Sequence, residues 1–209
     1  MNNSDSTKIF ISLKLIPQRR DGTFFPFVHF QEACYIFLQK LYPLFQNSKN
    51  PEDIHPLLGE ILLILSADTE KDYLHALDLF SSCRQILELC NEICRQADWN
   101  FSLDLAIAAD AGRAEKLIIP GSGPFPDAVA WTGIHEERAS RISHAMEKGV
   151  HKDTLITHSF YKHLPEKAKE KYATLYYLHH ICCYAEIKKV KCLFQNTLYF
   201  FILHSIHLV

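Results

Sequence analysis

Gly59-Glu60-Ile61-Leu62-Leu63-Ile64-Leu65-Ser66 sets five consecutive aliphatic residues between a glycine turn and a serine. This short apolar run predicts a central strand. Glu60 stands in the turn that enters this strand, a position where chemistry could sit.

Working outward toward the N-terminus, residues 46–53 are polar and predict a loop. Before them Phe30, Ala33, Cys34, Phe37, Leu38, Leu41 and Leu44 recur at helical spacing and predict a helix over His29–Phe45. A polar turn around Asp21-Gly22 separates that helix from Lys8–Ile16, which alternates in part, ends at Pro17 and predicts a first strand. On the C-terminal side, Leu79, Cys83, Ile86, Cys90 and Ile93 stripe Thr69–Ala97 at alternating spacings of four and three, the pattern of a helix packed on a sheet.

Phe101–Ala109 alternates again and, across Asp110-Ala111-Gly112, meets Lys116–Ile119, which predicts a hairpin. After the loop 120–127, Gly133–Met146 predicts a helix bearing Arg138, Arg141 and His144, and Thr154–Thr157 a short strand. Ile181–Cys192 and Thr197–Ile206, separated by Gln195-Asn196, predict a terminal hairpin. Strands and helices in this order, with no Gly/Ser linker or repeat, predict one α+β domain over residues 1–209.

The formal net charge of -2, from 22 Lys+Arg against 24 Asp+Glu, lacks the basic field that tracks a nucleic-acid backbone. The expectation is therefore no nucleic-acid partner. Seven scattered cysteines without disulfide-framework spacing, and an N-terminus without a signal-peptide pattern, point to the cytoplasm. Thr197–Val209 is apolar but shorter than the roughly 20 residues of a membrane span, and it carries His204 and His207, so no span is expected. Cys90 and Cys94, one helical turn apart, fit core positions better than a soft-metal pair. In His179-His180-Ile181-Cys182-Cys183 neighbouring side chains of a strand point to opposite faces, which does not suit zinc.

Three local patterns, taken in order, resemble the catalytic domain of class III nucleotidyl (adenylate and guanylate) cyclases. Gly59-Glu60 before its apolar strand is similar to the family's Gly-Asp turn, and Asp110-Ala111-Gly112 to the small-residue turn after its central strand. Gly133-Ile134-His135-Glu136-Glu137-Arg138-Ala139-Ser140-Arg141-Ile142 is similar to the Gly-x-x-Val-Asn-x-Ala-Ala-Arg helix start. Val190-Lys191 followed by Tyr199-Phe200 resembles the closing hairpin, so the likeness runs from about Ile9 to Phe201. It implies a ferredoxin-like βαββαβ sheet with helices on one face and a C-terminal β-hairpin. It also implies a homodimer, because family sites form between two copies.

The activity so implied is conversion of a nucleoside triphosphate to a 3′,5′-cyclic nucleotide and pyrophosphate, with two Mg²⁺ or Mn²⁺ ions held by carboxylates. By position the first-strand aspartate of the family falls on Ser12, a poor ligand for a hard cation, and the turn aspartate on Glu60, which keeps the charge. One metal ligand is thus implied at Glu60, but not a pair. The ribose-orienting asparagine falls on Glu137. The arginine that meets the pentavalent phosphate falls on Arg141, whose planar fork suits phosphate oxygens. The purine-selecting positions fall on Pro56 and Ala130, which leaves the base open. The triphosphate lysine falls near Leu193, with Lys191 and Lys189 as substitutes.

These substitutions imply either a divergent, weakly active cyclase or a catalytically dead cyclase-fold domain that binds nucleotide or regulates a partner. Apart from the resemblance, Glu60 also fits a solvated turn residue, and Arg141 a helix-face arginine paired with Glu137 at i, i+4.

Overall fold

The structure, a computed structural model, describes residues 6–19, 25–48, 51–121, 127–147, 154–170, 172–177 and 180–185. In chain order its elements are β1 (Ser6–Arg19), α1 (Phe27–Gln46), β2 (Pro51–Leu57), β3 (Glu60–Ser66), α2 (Glu70–Gln96), β4 (Phe101–Ala114), β5 (Lys116–Ile119) and β6 (Ala128–Trp131). They continue with α3 (His135–Glu147), β7 (Thr154–Thr157), α4 (His158–Tyr161), α5 (Glu166–Lys169), β8 (Tyr172–Tyr177) and β9 (His180–Ala185).

The central sheet has the strand order β2-β3-β1-β4-β7-β9-β8. β1 lies antiparallel to both β3 and β4, and β2 antiparallel to β3, which is the ferredoxin-like βαββαβ arrangement within an α+β fold. β7 joins β4 in parallel, and β9 and β8 extend the sheet antiparallel beyond it.

Alternation along β1 sorts the layers. Ile9, Ile11, Leu13 and Leu15 point into one large core with Ile61, Leu63 and Leu65 of β3, the apolar stripe of α1 and that of α2. Phe10 points the other way, with Leu62 and Ile64, toward Ala139 of α3. α1 and α2 therefore cover one face and α3 crosses the other. This is why Ile61 to Leu65 is apolar at every position: each of these residues is buried.

α2 starts where the Asp72 carboxylate accepts the backbone N–H of Thr69 at 2.8 Å and its hydroxyl at 2.9 Å, an acidic group placed at the positive end of a helix. Farther along α2, the Asn91 side chain donates to the carbonyl of Leu103 at 2.9 Å and accepts its N–H at 2.6 Å. It stands in for a neighbouring strand beside a stretch of β4 that β7 does not reach. Cys34, Cys83, Cys90 and Cys94 are buried between these layers, as the core assignment of the Cys90–Cys94 stripe requires.

Four local expectations differ from the structure. The loop expected over 46–53 gives way at Pro51 to β2, whose signal is interrupted by Pro51 and Pro56; an edge strand tolerates both. β1 does not stop at Pro17 but continues to Arg19, pairing Pro17 with Leu103. Asp110-Ala111-Gly112 is not a turn: β4 runs through it to Ala114, because the 14-residue β1 supplies a partner along its whole length. Lys116–Ile119 pairs instead with β6 in a separate two-stranded ribbon. β8 lies where no strand was expected, while Val190-Lys191, Tyr199-Phe200 and Thr197–Ile206 lie outside the described residues. Among the described residues no helix is long and apolar enough to cross a membrane.

Candidate functional site

The site occupies the face of the sheet under α3. Alternation puts Lys8, Phe10, Ser12 and Lys14 of β1 on this side, and with them the small or acidic residues Ala108, Asp110, Gly112 and Ala114 of β4. A face of small residues lets a helix approach closely. α3 lays Ala139, Ile142, Ser143, Ala145 and Met146 against it, a stripe in which a serine replaces one of the apolar groups.

Glu60, with its residue only 8% exposed, is the centre of one polar cluster. Its Oε1 accepts the Ser12 hydroxyl at 3.0 Å and the Ser140 hydroxyl at 2.7 Å. Ser143 Oγ lies 2.7 Å from Ser12 Oγ and 2.9 Å from the carbonyl of Ser140; with the one proton of Ser12 given to Glu60, Ser143 is the donor, its single proton shared between these two acceptors. His144 Nδ1 lies 2.9 Å from the Ser140 carbonyl, which can only accept, so that nitrogen carries the proton. His144 Nε2 lies 3.3 Å from Lys14 Nζ and 3.5 Å from Glu60 Oε2. Lys14 also lies 3.7 Å from Glu147 at the end of α3.

A second cluster is built on Asp110, which is fully buried. Its Oδ2 meets His135 Nδ1 at 2.8 Å and the Arg138 guanidinium at 3.2 Å. Its Oδ1 accepts the N–H of Ala111 at 2.9 Å and the hydroxyl of Thr157, which in turn caps α4 through the N–H of Phe160. A carboxylate so buried persists only because every lone-pair direction is supplied with a donor. Gly112 makes the arrangement possible: a Cβ there would sit 2.0 Å from His135 Nε2, inside the ring's own volume.

The residues singled out from sequence divide between the two sides of α3. Glu60 is buried beneath it, so the description as a solvated turn residue is wrong, although the position does face a polar site. Glu137 and Arg141 point outward, with side chains 61% and 69% exposed, and are hydrogen-bonded to each other, the i, i+4 pair foreseen as the alternative to a phosphate contact. Pro56 sits on β2, Ala130 on β6, and Lys191 lies outside the described residues. Ser140, Ser143, His144, Lys14, His135 and Asp110 were not singled out as site residues. Their one sequence signal is the polar interruption of the α3 stripe at Ser140 and Ser143.

For a pair of divalent cations the donor set does not fit. Such a pair takes two carboxylates with oxygens to spare. Here the β1 residue that reaches Glu60 Oε1 is a serine, which donates to it, and Oε1 is already taken by two hydroxyls. Glu60 Oε2 is the one carboxylate oxygen left to a single cation. Among the described residues no cluster of three or more His, Cys, Asp or Glu side chains is placed to hold a metal ion.

Burial also sets the chemistry of the thiols. Removal from water pushes Cys34 up to about 11 and Cys83 and Cys90 up to about 12, so these sulfurs stay protonated and inert at neutral pH.

No protein-family model matches the chain, and no curated protein matches it in sequence. Solved structures do. The adenylyl cyclase CyaB from P. aeruginosa superposes with a TM-score of 0.63 at 10% identity, covering 90% of this chain and 98% of that one. The guanylyl cyclase Cya2 gives 0.62 at 13% identity, covering 89% and 97%. A class III adenylyl cyclase-like ATP-binding protein from Pseudomonas aeruginosa gives 0.62 at 13%, covering 79% of this chain and 36% of that one. At such identities the likeness is one of fold: this chain has the fold of class III nucleotidyl cyclases.

Proposed function

We propose that this chain is a nucleotidyl-cyclase-like domain that binds nucleoside triphosphate and works by binding and pairing, with little or no two-metal cyclisation of its own. The observation that carries the reading is Glu60 Oε1 held by Ser12 and Ser140 at 3.0 and 2.7 Å. A displacement at the α-phosphate builds charge that two cations ordinarily neutralise. On β1 and β3 one carboxylate and one hydroxyl stand in place of two carboxylates, and the hydroxyl is spent on the carboxylate. A Mg²⁺ or Mn²⁺ arriving with the triphosphate would have Glu60 as its protein ligand and would supply charge neutralisation alone.

Nucleotide binding is supported by the outward face of α3, where Arg141 is exposed and paired only across water-accessible surface with Glu137, a pair worth less than about 1 kcal/mol and easily exchanged for phosphate oxygens. Lys191 is proposed as a second triphosphate contact. Because Glu60 and the Glu137–Arg141 pair face opposite ways on one chain, a complete site needs the α3 of a second copy, and we propose a homodimer in the cytoplasm. A cyclase-like ATP-binding protein among the structures of this fold is in keeping with such a role.

The deciding experiment incubates purified protein with each of the four NTPs and Mn²⁺, follows 3′,5′-cyclic product by mass spectrometry, and measures NTP binding by calorimetry with Arg141→Ala beside it. Binding that weakens in the variant, without cyclic product from any NTP, supports the proposal. A cyclic product that disappears in Arg141→Ala overturns the silent half of it and identifies a weak cyclase and its base. Absence of binding by all four overturns the nucleotide half.

A further inference from the structure

α3 is attached in an unusual way for a helix packed on a sheet. The side chains it buries are Ala139, Ile142, Ser143, Ala145 and Met146, among which Ile142 and Met146 are the only large apolar ones. α2, on the other face, buries Tyr73, Leu79, Phe80, Ile86 and Leu87 among others. The holding contacts of α3 are polar and sit at two points. His135 and Arg138 in its first turns reach Asp110, and Ser140 and Ser143 reach Glu60 and Ser12.

The surface underneath matches. Ser12, Glu60 and Asp110 are buried there and Lys14 is nearly so, and all of them hydrate readily once uncovered. Opening this interface exchanges protein hydrogen bonds for water and uncovers Phe10, Leu62, Ile64 and Ala114 together with Ile142 and Met146 of α3 itself, a smaller apolar set than the one α1 and α2 cover on the other face. Segments with few buried apolar contacts are the ones that open without global unfolding. A swivel is present as well. Gly133, two residues before α3, has φ +103°, a backbone state open to glycine, while Thr132 just before it is pinned by its N–H to the Glu115 carbonyl at 2.9 Å.

We propose that α3 is a hinged cover: it pivots at Gly133, latches on Asp110 and Glu60, and in the latched state keeps the Glu60–Ser12 face out of reach. The cover regulates the site on which the proposed function rests, yet the two stand or fall on different measurements, cyclic product and nucleotide binding for the function, local opening for the cover.

Native-state hydrogen exchange of the full chain at low urea, read by mass spectrometry, tests it. Amides of His135–Glu147 exchange through an opening with a shallow urea dependence, while those of Glu70–Gln96 follow the steep dependence of global unfolding. Ser140→Ala removes a hydrogen bond to a charged group and speeds α3 exchange roughly tenfold with its urea slope unchanged. Carbodiimide labelling of Glu60 rises by the same factor, which a purely structural role of Ser140 would not couple to α3 opening. If the α3 amides of the unsubstituted protein join the steep isotherm of α2, or if Glu60 labelling fails to follow α3 exchange, the cover is ruled out.

Discussion

Replacing Gly112 by alanine tests whether the α3 interface is organised around the His135 imidazole. The alanine methyl would lie 2.0 Å from His135 Nε2 and 2.1 Å from Cε1, so the ring must leave. Its departure takes away the 2.8 Å contact with Asp110, a hydrogen bond to a charged group worth about 1.5–3 kcal/mol. Asp110 keeps Arg138, Thr157 and the Ala111 N–H, so it is not left bare, and the alanine recovers about 0.4–1 kcal/mol by narrowing the unfolded chain. The net destabilisation is about 1–2 kcal/mol, a fall in Tm of roughly 2–8 °C for a chain of this size. Urea denaturation and thermal melting measure it directly. The decisive control repeats Gly112→Ala in a His135→Ala background, where the space is free and the substitution becomes neutral or slightly stabilising. An equal cost in both backgrounds would refute the argument, because the methyl would then be clashing with something other than the ring.

Two further outcomes follow from the same geometry. Ser12→Asp puts a second carboxylate against Glu60 Oε1, at a place where Ser12 now donates across 3.0 Å, so the variant melts below the natural protein in metal-free buffer and gains several degrees with millimolar Mn²⁺, a response the natural protein lacks. Metal-dependent cyclic product from that variant would show that the rest of the catalytic apparatus is intact. Alkaline stability reports the buried thiols: Cys83 and Cys90 are raised from 9.0 to about 12 by loss of solvation, so the stability they contribute is complete below about pH 9 and is lost as pH rises toward 12. The unfolding free energy falls by about 1.4 kcal/mol per pH unit for each thiol over that range, because only the unfolded chain releases its protons there. Cys83→Ala, measured by urea denaturation between pH 8 and 10.5, flattens that slope by one thiol's share, and an unchanged slope would count against it.

Much of the architecture is legible in the chain because the two periodicities that build it are local. The unbroken run Ile61–Leu65, the stripe of Leu79, Cys83, Ile86 and Cys90 and the short Thr154–Thr157 strand each state their own geometry, and all three elements are found where they were expected. Glu60 likewise declared itself as a carboxylate at the mouth of a central strand. Pairing is a different matter, since it depends on which partner is long enough to reach. Asp110-Ala111-Gly112 has turn composition, yet β1 extends far enough to hold it in a ladder, and its small residues serve a helix arriving from 25 positions later, the separation of His135 from Asp110. The state of the site is decided in the same way. That Ser140 and Ser143 turn inward onto Glu60 and Ser12 while Glu137 and Arg141 turn outward follows from the rotation of α3 on the sheet. That rotation is set jointly by Gly112, Asp110 and the thin apolar stripe. Most of the elements, the carboxylate at Glu60 and the hydroxyl at Ser12 are legible in the sequence alone. Only the tertiary structure decided that the carboxylate is covered, because covering it takes residues 80 positions apart whose contacts leave no periodic trace in the chain.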